Sequence, residues 1–209
     1  MGFLTDNCIL HKMDEQILKY CHPFVCVDEG VNDFFQREFI EYENNLFANS
    51  YCFLLKKNPK IIVAAFAISS DSINRKLINT TKDKQAEKKI RKNIPHSKEF
   101  KNRFPSVLIG QLGVVKSFSK KETKGESTVS EEILDFIKKW IIDSDMKIAS
   151  RFLIVDAINE SPVLKYYENN NFKYLFSDED FEKASLNLAK DVTLKTRLMV
   201  FDLITVKKL

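Results

Sequence analysis

The period of the apolar positions changes repeatedly along the chain, and each change marks an element. Short apolar runs at Asn7–Lys12 and Phe24–Val27 flank a helical stretch, Asp14–Tyr20. Asp28 is placed to cap a long amphipathic helix on which Val31, Phe34, Phe35, Phe39, Ile40 and Tyr42 recur at helical spacing. Ser50–Lys56 and Lys60–Ser69 are rich in β-formers and, with the Asn58-Pro59 pair between them, read as a hairpin. Pro105 opens a strongly apolar strand, Ser106–Val115, and a polar loop, Lys116–Ser127, follows it. Val129, Ile133, Phe136, Ile137, Trp140 and Ile141 then keep the spacing of an amphipathic helix. The remainder reads as a buried strand at Phe152–Val155, a short helix at Ser161–Asn170 with Pro162 in its first turn, and a strand at Lys173–Phe176. A helix around Phe181–Ala189 and a terminal strand, Leu194–Thr205, complete the order.

A helix joining two buried strands in the second half implies a right-handed parallel crossover, while the first half supplies antiparallel neighbours. The expected fold is therefore α/β: a mixed, mostly antiparallel sheet with a parallel central pair, flanked by helices. One domain over 1–209 accommodates it, with a functional crevice at the carboxyl ends of the central strands.

Composition narrows the chemistry. With 44% apolar and 30% charged residues the chain can build a core. Its five glycines, Gly2, Gly30, Gly110, Gly113 and Gly125, are too few and too scattered for a Rossmann fingerprint or a Walker loop. No apolar run reaches the roughly 18 residues needed to span a bilayer, and the opening residues lack a signal layout. A soluble, cytoplasmic protein without membrane partners is expected. Cys8, Cys21, Cys26 and Cys52 show no CxxC spacing and read as free, mostly buried thiols. Cys21, His22 and Cys26 find no matching Cys or His pair later in the chain, so no metal is expected.

Charge is unevenly spread. From Arg75 to Arg103, eleven Lys or Arg against three acids give +8, leaving −4 for the rest of a chain of net charge +4. A basic insertion at about 75–103 creates a local positive field able to steer a polyanion such as RNA; a solvated lysine-rich loop or helix is the plainer reading of the same residues.

Three pieces of the second half carry candidate chemistry. The strand Gln111-Leu112-Gly113-Val114-Val115 leads into a loop containing Lys120, Lys121, Lys124, Gly125 and Ser127, and then into a helix start at Thr128, Val129 and Ser130. Exposed N–H groups at a helix start make an anion site. The strand Val155-Asp156-Ala157-Ile158-Asn159 ends in polar groups, and a helix ends in Tyr166-Tyr167-Glu168-Asn169-Asn170-Asn171-Phe172. Together these pieces resemble the GNAT family of acyl-CoA-dependent N-acetyltransferases, whose last helix carries Tyr-Glu-x-x-Gly-Phe. Here Asn171 replaces the glycine, a mild exchange because asparagine tolerates positive φ. The opening Phe24–Phe35 and the ending Thr196–Leu203 further resemble the branch containing bacterial toxin–antitoxin acetyltransferases.

The resemblance implies the acyl-CoA N-acyltransferase fold, acetyl-CoA as co-substrate and an amine acceptor. It makes Tyr167 the general acid that protonates the departing thiolate. It gives the backbone of Leu112, Gly113 and Val114 and the side chain of Asn159 to the pantetheine arm, and Lys120, Lys121, Lys124, Gly125, Ser127, Thr128, Val129 and Ser130 to the pyrophosphate. The pyrophosphate loop departs from the family pattern: Gly125, Thr128 and Ser130 occupy its Gln/Arg, Gly and Gly/Ala positions. Thr128 with Glu131 reads as a capping box, and Glu126, Glu131 and Glu132 oppose a bound anion. Three functions follow: an acetyltransferase acting on aminoacyl-tRNA steered by the basic segment, a non-catalytic module binding nucleic acid or a protein such as an antitoxin, and a small-molecule or peptide amine acetyltransferase. A homodimer is left open.

Overall fold

The amphipathic segments fold as elements that each bury their apolar stripe. The computed structural model describes residues 2–91, 103–119, 128–143 and 149–207. In chain order they are α1 (Phe3–Asn7), β1 (Cys8–Lys12), α2 (Glu15–Tyr20), α3 (Glu29–Asp33), a π-helical turn (Phe34–Glu38) and α4 (Phe39–Asn44). These are followed by β2 (Asn49–Leu55), β3 (Asn58–Asn74), α5 (Arg75–Thr81), α6 (Lys84–Arg91), β4 (Arg103–Val114), α7 (Lys116–Ser119) and α8 (Val129–Ile141). β5 (Phe152–Ile158), α9 (Ser161–Asn169), β6 (Lys173–Tyr174), α10 (Glu179–Ser185), β7 (Thr196–Asp202) and α11 (Ile204–Lys207) follow.

The strands form a seven-stranded sheet in the order β1-β2-β3-β4-β5-β7-β6. The pairs β1–β2, β2–β3, β5–β7 and β6–β7 are antiparallel, and β4 and β5 run parallel, as the pattern predicts. The parallel register pairs Ser106 with Phe152, Val107 with Leu153 and Leu108 with Ile154. Beyond it β4 continues to Val114 and β5 to Ile158, where β5 keeps its ladder to β7 as far as Ile158 opposite Thr196.

The chain divides into two compact units, one made of Met1–Ser69 and Ile109–Trp140, the other of Ser70–Leu108 and Ile141–Leu209. The first has a core around Met13, Phe24, Phe34, Phe35, Phe39, Cys52 and Ile62. Asp14 and Asp28 cap their helices, accepting from the amides of Ile17 and Val31. The π turn gives the long helix one wide turn, and Phe34, Phe35 and Phe39 are all buried there. The second unit's core joins Ile73, Ile78, Ala86, Ile90, Phe104, Phe152, Ile154 and Leu175.

Several expectations shift. The apolar run Phe24–Val27 has no regular structure, and Phe24 and Cys26 are buried in it. The hairpin turns at Lys56-Lys57, so that Asn58 and Pro59 open β3 instead of separating the strands. The helix expected around Phe181–Ala189 is α10 and ends at Ser185, and the last strand ends at Asp202, with the short α11 after it. The described part of the basic segment, residues 75–91, takes the helical form of that reading, as α5 and α6 with exposed lysines, while Ile78, Ala86 and Ile90 draw it into a core. The four cysteines are free thiols, three of them buried. Among the described residues, no group of three or more His, Cys, Asp or Glu is placed to hold a metal ion, and no helix is long and apolar enough to cross a membrane.

Candidate functional site

Tyr167 sits on α9 in the second unit, and the end of that helix explains its surroundings. Asn171 adopts φ 64°, its amide donates to the Glu168 carbonyl, and the Phe172 amide donates to the Tyr167 carbonyl. These are the two hydrogen bonds of a Schellman motif, which also calls for a hydrophobic contact between the residues that Tyr167 and Phe172 occupy. Their rings meet edge-on with centroids 5.4 Å apart. The Tyr-Glu-x-x-Asn-Phe spacing is thus a helix stop as well as a candidate catalytic motif. Tyr166 packs edge-on against Tyr167 at 5.1 Å, and Tyr167 is only 7% exposed. That burial pushes its phenol up to about 12. Among the described residues, no side chain or backbone group hydrogen-bonds its hydroxyl.

Asn159, also in the second unit, follows β5. Its amide nitrogen donates to Glu179 Oε1 at 3.2 Å and to the Leu194 carbonyl at 3.0 Å. Both side-chain donors are spent on protein, so the oxygen is the atom that can meet a ligand N–H. Behind Asn159, Arg197 donates to Glu182 at 2.6 Å and to Glu179 at 3.4 Å and lies over the Tyr174 ring. Glu182 also accepts from the Leu198 amide at 2.6 Å. This buried network, spread over separate elements, carried no local signal in the sequence. Asp156 on β5 carries no motif of its own in the sequence; partial burial, and next the charge of Asp71, raise its carboxyl above the ordinary range.

In the first unit, Leu112, Gly113 and Val114 form the last part of β4. Gly113 is there for packing: a Cβ on it would lie 2.9 Å from both Phe24 Cζ and Val31 Cγ1. The start of α8 closes on itself. The Thr128 amide and hydroxyl donate to Glu131 Oε2 at 2.7 and 3.1 Å, and the Glu131 amide reaches the Thr128 hydroxyl at 3.4 Å. This is the capping box that the sequence predicts. Glu132 is occupied too, accepting from the amides of Phe3 and Leu4 at 2.7 and 2.9 Å. Val129 is buried and Ser130 half-buried at the same helix start. Lys120, Lys121, Lys124, Gly125 and Ser127 lie outside the described residues. The candidate residues therefore fall into two groups, Leu112–Val114 with Thr128–Ser130 in one unit and Asn159 with Tyr167 in the other.

No protein-family profile matches the chain, and no curated protein matches it. Solved structures do. A tyrosine-to-phenylalanine mutant of KacT is 12% identical with a TM-score of 0.63, covering 97% of this chain and 99% of its own. AtaT complexed with acetyl-methionyl-tRNAfMet is 14% identical with a TM-score of 0.60, and AtaTR bound with AcCoA is 13% identical with a TM-score of 0.59. Each of these two covers 97% of this chain and 98% of its own. The chain has the fold of these toxins, the acyl-CoA N-acyltransferase fold, over nearly its whole length.

Proposed function

We propose that the chain is an N-acetyltransferase that moves the acetyl group of acetyl-CoA to a primary amine, the amino group of an aminoacyl-tRNA. The observation that carries this is the tyrosine motif: Tyr167 stands in a Schellman helix stop, with its hydroxyl not engaged by any described residue. Fold likeness to a protein seen with acetyl-methionyl-tRNAfMet, and to one bound with AcCoA, supports the choice of donor and acceptor. An antitoxin-like protein partner belongs to the same proposal, since AtaT is also seen with the C-terminus of the antitoxin AtaR.

Acetyl-CoA supplies an activated acyl thioester. The described groups assigned to it are the main chain of Leu112, Gly113 and Val114, the side-chain oxygen of Asn159, the hydroxyls of Thr128 and Ser130, and the main chain of Val129. In the transfer the amine nitrogen attacks the thioester carbonyl, a C–N bond forms and the C–S bond breaks. Tyr167 gives its proton to the leaving sulfur and recovers one released by the amine. A phenol at about 12 facing a thiol of reference pKa about 8.5 makes full transfer uphill, so the proton must move as the C–S bond breaks.

A second reading, a module of the same fold that binds without turnover, is favoured by the closed Thr128–Glu131 box, which uses donors that a pyrophosphate would need. Titration calorimetry with acetyl-CoA separates them. Heat of binding, followed by transfer of labelled acetyl to bulk aminoacyl-tRNA, is the expected result. No heat and no thermal stabilisation at millimolar acetyl-CoA would overturn the enzyme reading. Binding with transfer to small amines or peptides alone would retain the reaction and change the acceptor.

A further inference from the structure

The helix pair α5–α6 separates its charges by direction. Residues 75–91 hold seven Lys or Arg and two acids, Asp83 and Glu87, a net of +5. Asp83 is buried and turned inward: it accepts from the amides of Gln85 and Ala86 at the start of α6, and from the amide and hydroxyl of Ser177 at 2.7 and 3.0 Å. Burial opposes its charge, but these hydrogen bonds outweigh it and hold the carboxyl below its usual range. Two cations are also spent within the unit. Lys89 donates to the carbonyls of Tyr174 and Leu175 at 2.8 and 3.3 Å, and Arg75 pairs with Glu87 at 2.8 Å. Asp83 and Lys89 thus fasten α6 to the segment that follows the Tyr167 motif.

The rest of the charge points to solvent. Lys76, Lys82, Lys84 and Lys88 are exposed, and none forms an ion pair among the described residues. Lys84, Lys88 and Arg91 stand at i, i+4 and i+7, one stripe along α6. Arg91 completes it from exposed solvent while sharing Glu87 with Arg75. Lys82, also exposed, stands in the left-handed turn between the helices, at φ 60°. A solvated face usually interleaves both signs; here Asp83 is turned inward and Glu87 is shared by Arg75 and Arg91, leaving the exposed lysines without an acidic partner among the described residues.

We propose that the exposed lysines of α5 and α6 form a docking face for an RNA phosphate backbone, with Lys76, Lys82, Lys84 and Lys88 as its phosphate contacts. Charge complementarity with a repeating polyanion selects the occupant, because a set of exposed lysines, none of them in an ion pair among the described residues, binds charge rather than a shaped ligand. The inference deepens the acceptor reading above, and rests on that reading only for the choice of RNA as the polyanion.

The test uses the full chain, fluorescent bulk deacylated tRNA and no acetyl-CoA, so its result stands apart from whether acetyl transfer occurs. Four phosphate contacts predict a salt slope near −3 to −4, hence roughly a hundredfold weaker binding between about 50 and 200 mM salt. Replacing the four residues together, by Lys76→Gln, Lys82→Gln, Lys84→Gln and Lys88→Gln, should flatten that slope by about 3 units and weaken low-salt binding at least tenfold, with unchanged thermal unfolding. A control carrying Lys57→Gln, Lys139→Gln, Lys190→Gln and Lys207→Gln removes the same charge elsewhere and should retain most of the slope. Equal loss in the two variants, or no loss in the first, overturns the proposal. So does tighter binding to a DNA duplex of similar length or to polyglutamate, either of which would assign the face to a different partner class.

Discussion

Tyr167 packs between Tyr166 and Phe172, and its hydroxyl is the one part of it that packing does not explain. Tyr167→Phe keeps the ring contacts and removes only that group. Turnover in the labelled-acetyl assay should fall about 10²- to 10⁴-fold with little change in acetyl-CoA affinity, whereas an unchanged rate would leave Tyr167 a packing residue. The pH dependence of stability gives an independent reading. The folded phenol is raised above its unfolded value of about 10, so its contribution is fully present below pH 10 and is lost as pH rises toward 12. At about pH 11 that loss is on the order of 1 kcal/mol, and Tyr167→Phe should be spared it in urea titrations. Burial likewise pushes the Cys52 thiol up to about 12, and that alkaline loss should persist in both proteins. Two glycines on β4 provide a contrast. Gly113→Ala drives a methyl into Phe24 and Val31 and should cost about 1–3 kcal/mol. Gly110→Ala meets nothing within 4 Å and should be neutral or stabilising by up to about 1 kcal/mol in the same titration.

At the level of elements, helix ends decide how the two halves of the candidate chemistry are presented. Asn171 holds the left-handed position of the α9 stop, so Asn171→Gly should stabilise slightly, while Asn171→Ala should cost about 1–2 kcal/mol in thermal or urea unfolding without abolishing binding. At the α8 start, Thr128→Ala removes one arm of the capping box at a cost of about 1 kcal/mol. Such local signals are the ones the sequence makes legible. Asp28, the Thr128–Glu131 box and the Asn171 stop are all readable, because each is closed by residues three to five positions apart. The parallel strand pair was readable too, from a helix lying between two buried strands. What stayed hidden depends on partners distant in the chain. Glu132 looked like an obstacle to an anion, yet its carboxylate is bound by Phe3 and Leu4. Gly113 carries a packing constraint of the same kind, since Phe24 and Val31, far away in the chain, fill the space that a Cβ would take. The basic segment read as a surface appendage because its lysines outnumber Ile78, Ala86 and Ile90, although those three fix it to a core. Pro59 read as a turn because strands rarely hold proline, but the first residues of a strand tolerate it.

On the scale of the whole chain, the division into two units falls inside strands rather than in linkers. β3 passes from one unit to the other between Ser69 and Ser70, and β4 between Leu108 and Ile109. Independently folding domains are joined by exposed segments that few contacts cross, and a mid-strand boundary provides no such segment. Loss of either core must fray strands that run on into the other unit, with β4 making its ladder to β5 through Ser106, Val107 and Leu108 before it continues into the first. The units should therefore unfold together. Trp140, the sole tryptophan, reports on the first unit, where its ring lies 4.8 Å from Tyr51 and 5.8 Å from Phe66. Peptides covering β5 and β7 report on the second through native-state hydrogen exchange. The urea transition seen by Trp140 fluorescence should coincide with the global opening free energy of the β5 and β7 amides, and both should rise by about 2.7 kcal/mol with acetyl-CoA at a hundred times its dissociation constant. If β5 and β7 exchanged through a separate, cheaper opening that urea does not accelerate, the units would be independent. Acetyl-CoA protecting one set of probes and leaving the other unchanged would then assign the cofactor to a single unit, and the division of candidate residues between Leu112–Val114 and Tyr167 would have to be redrawn.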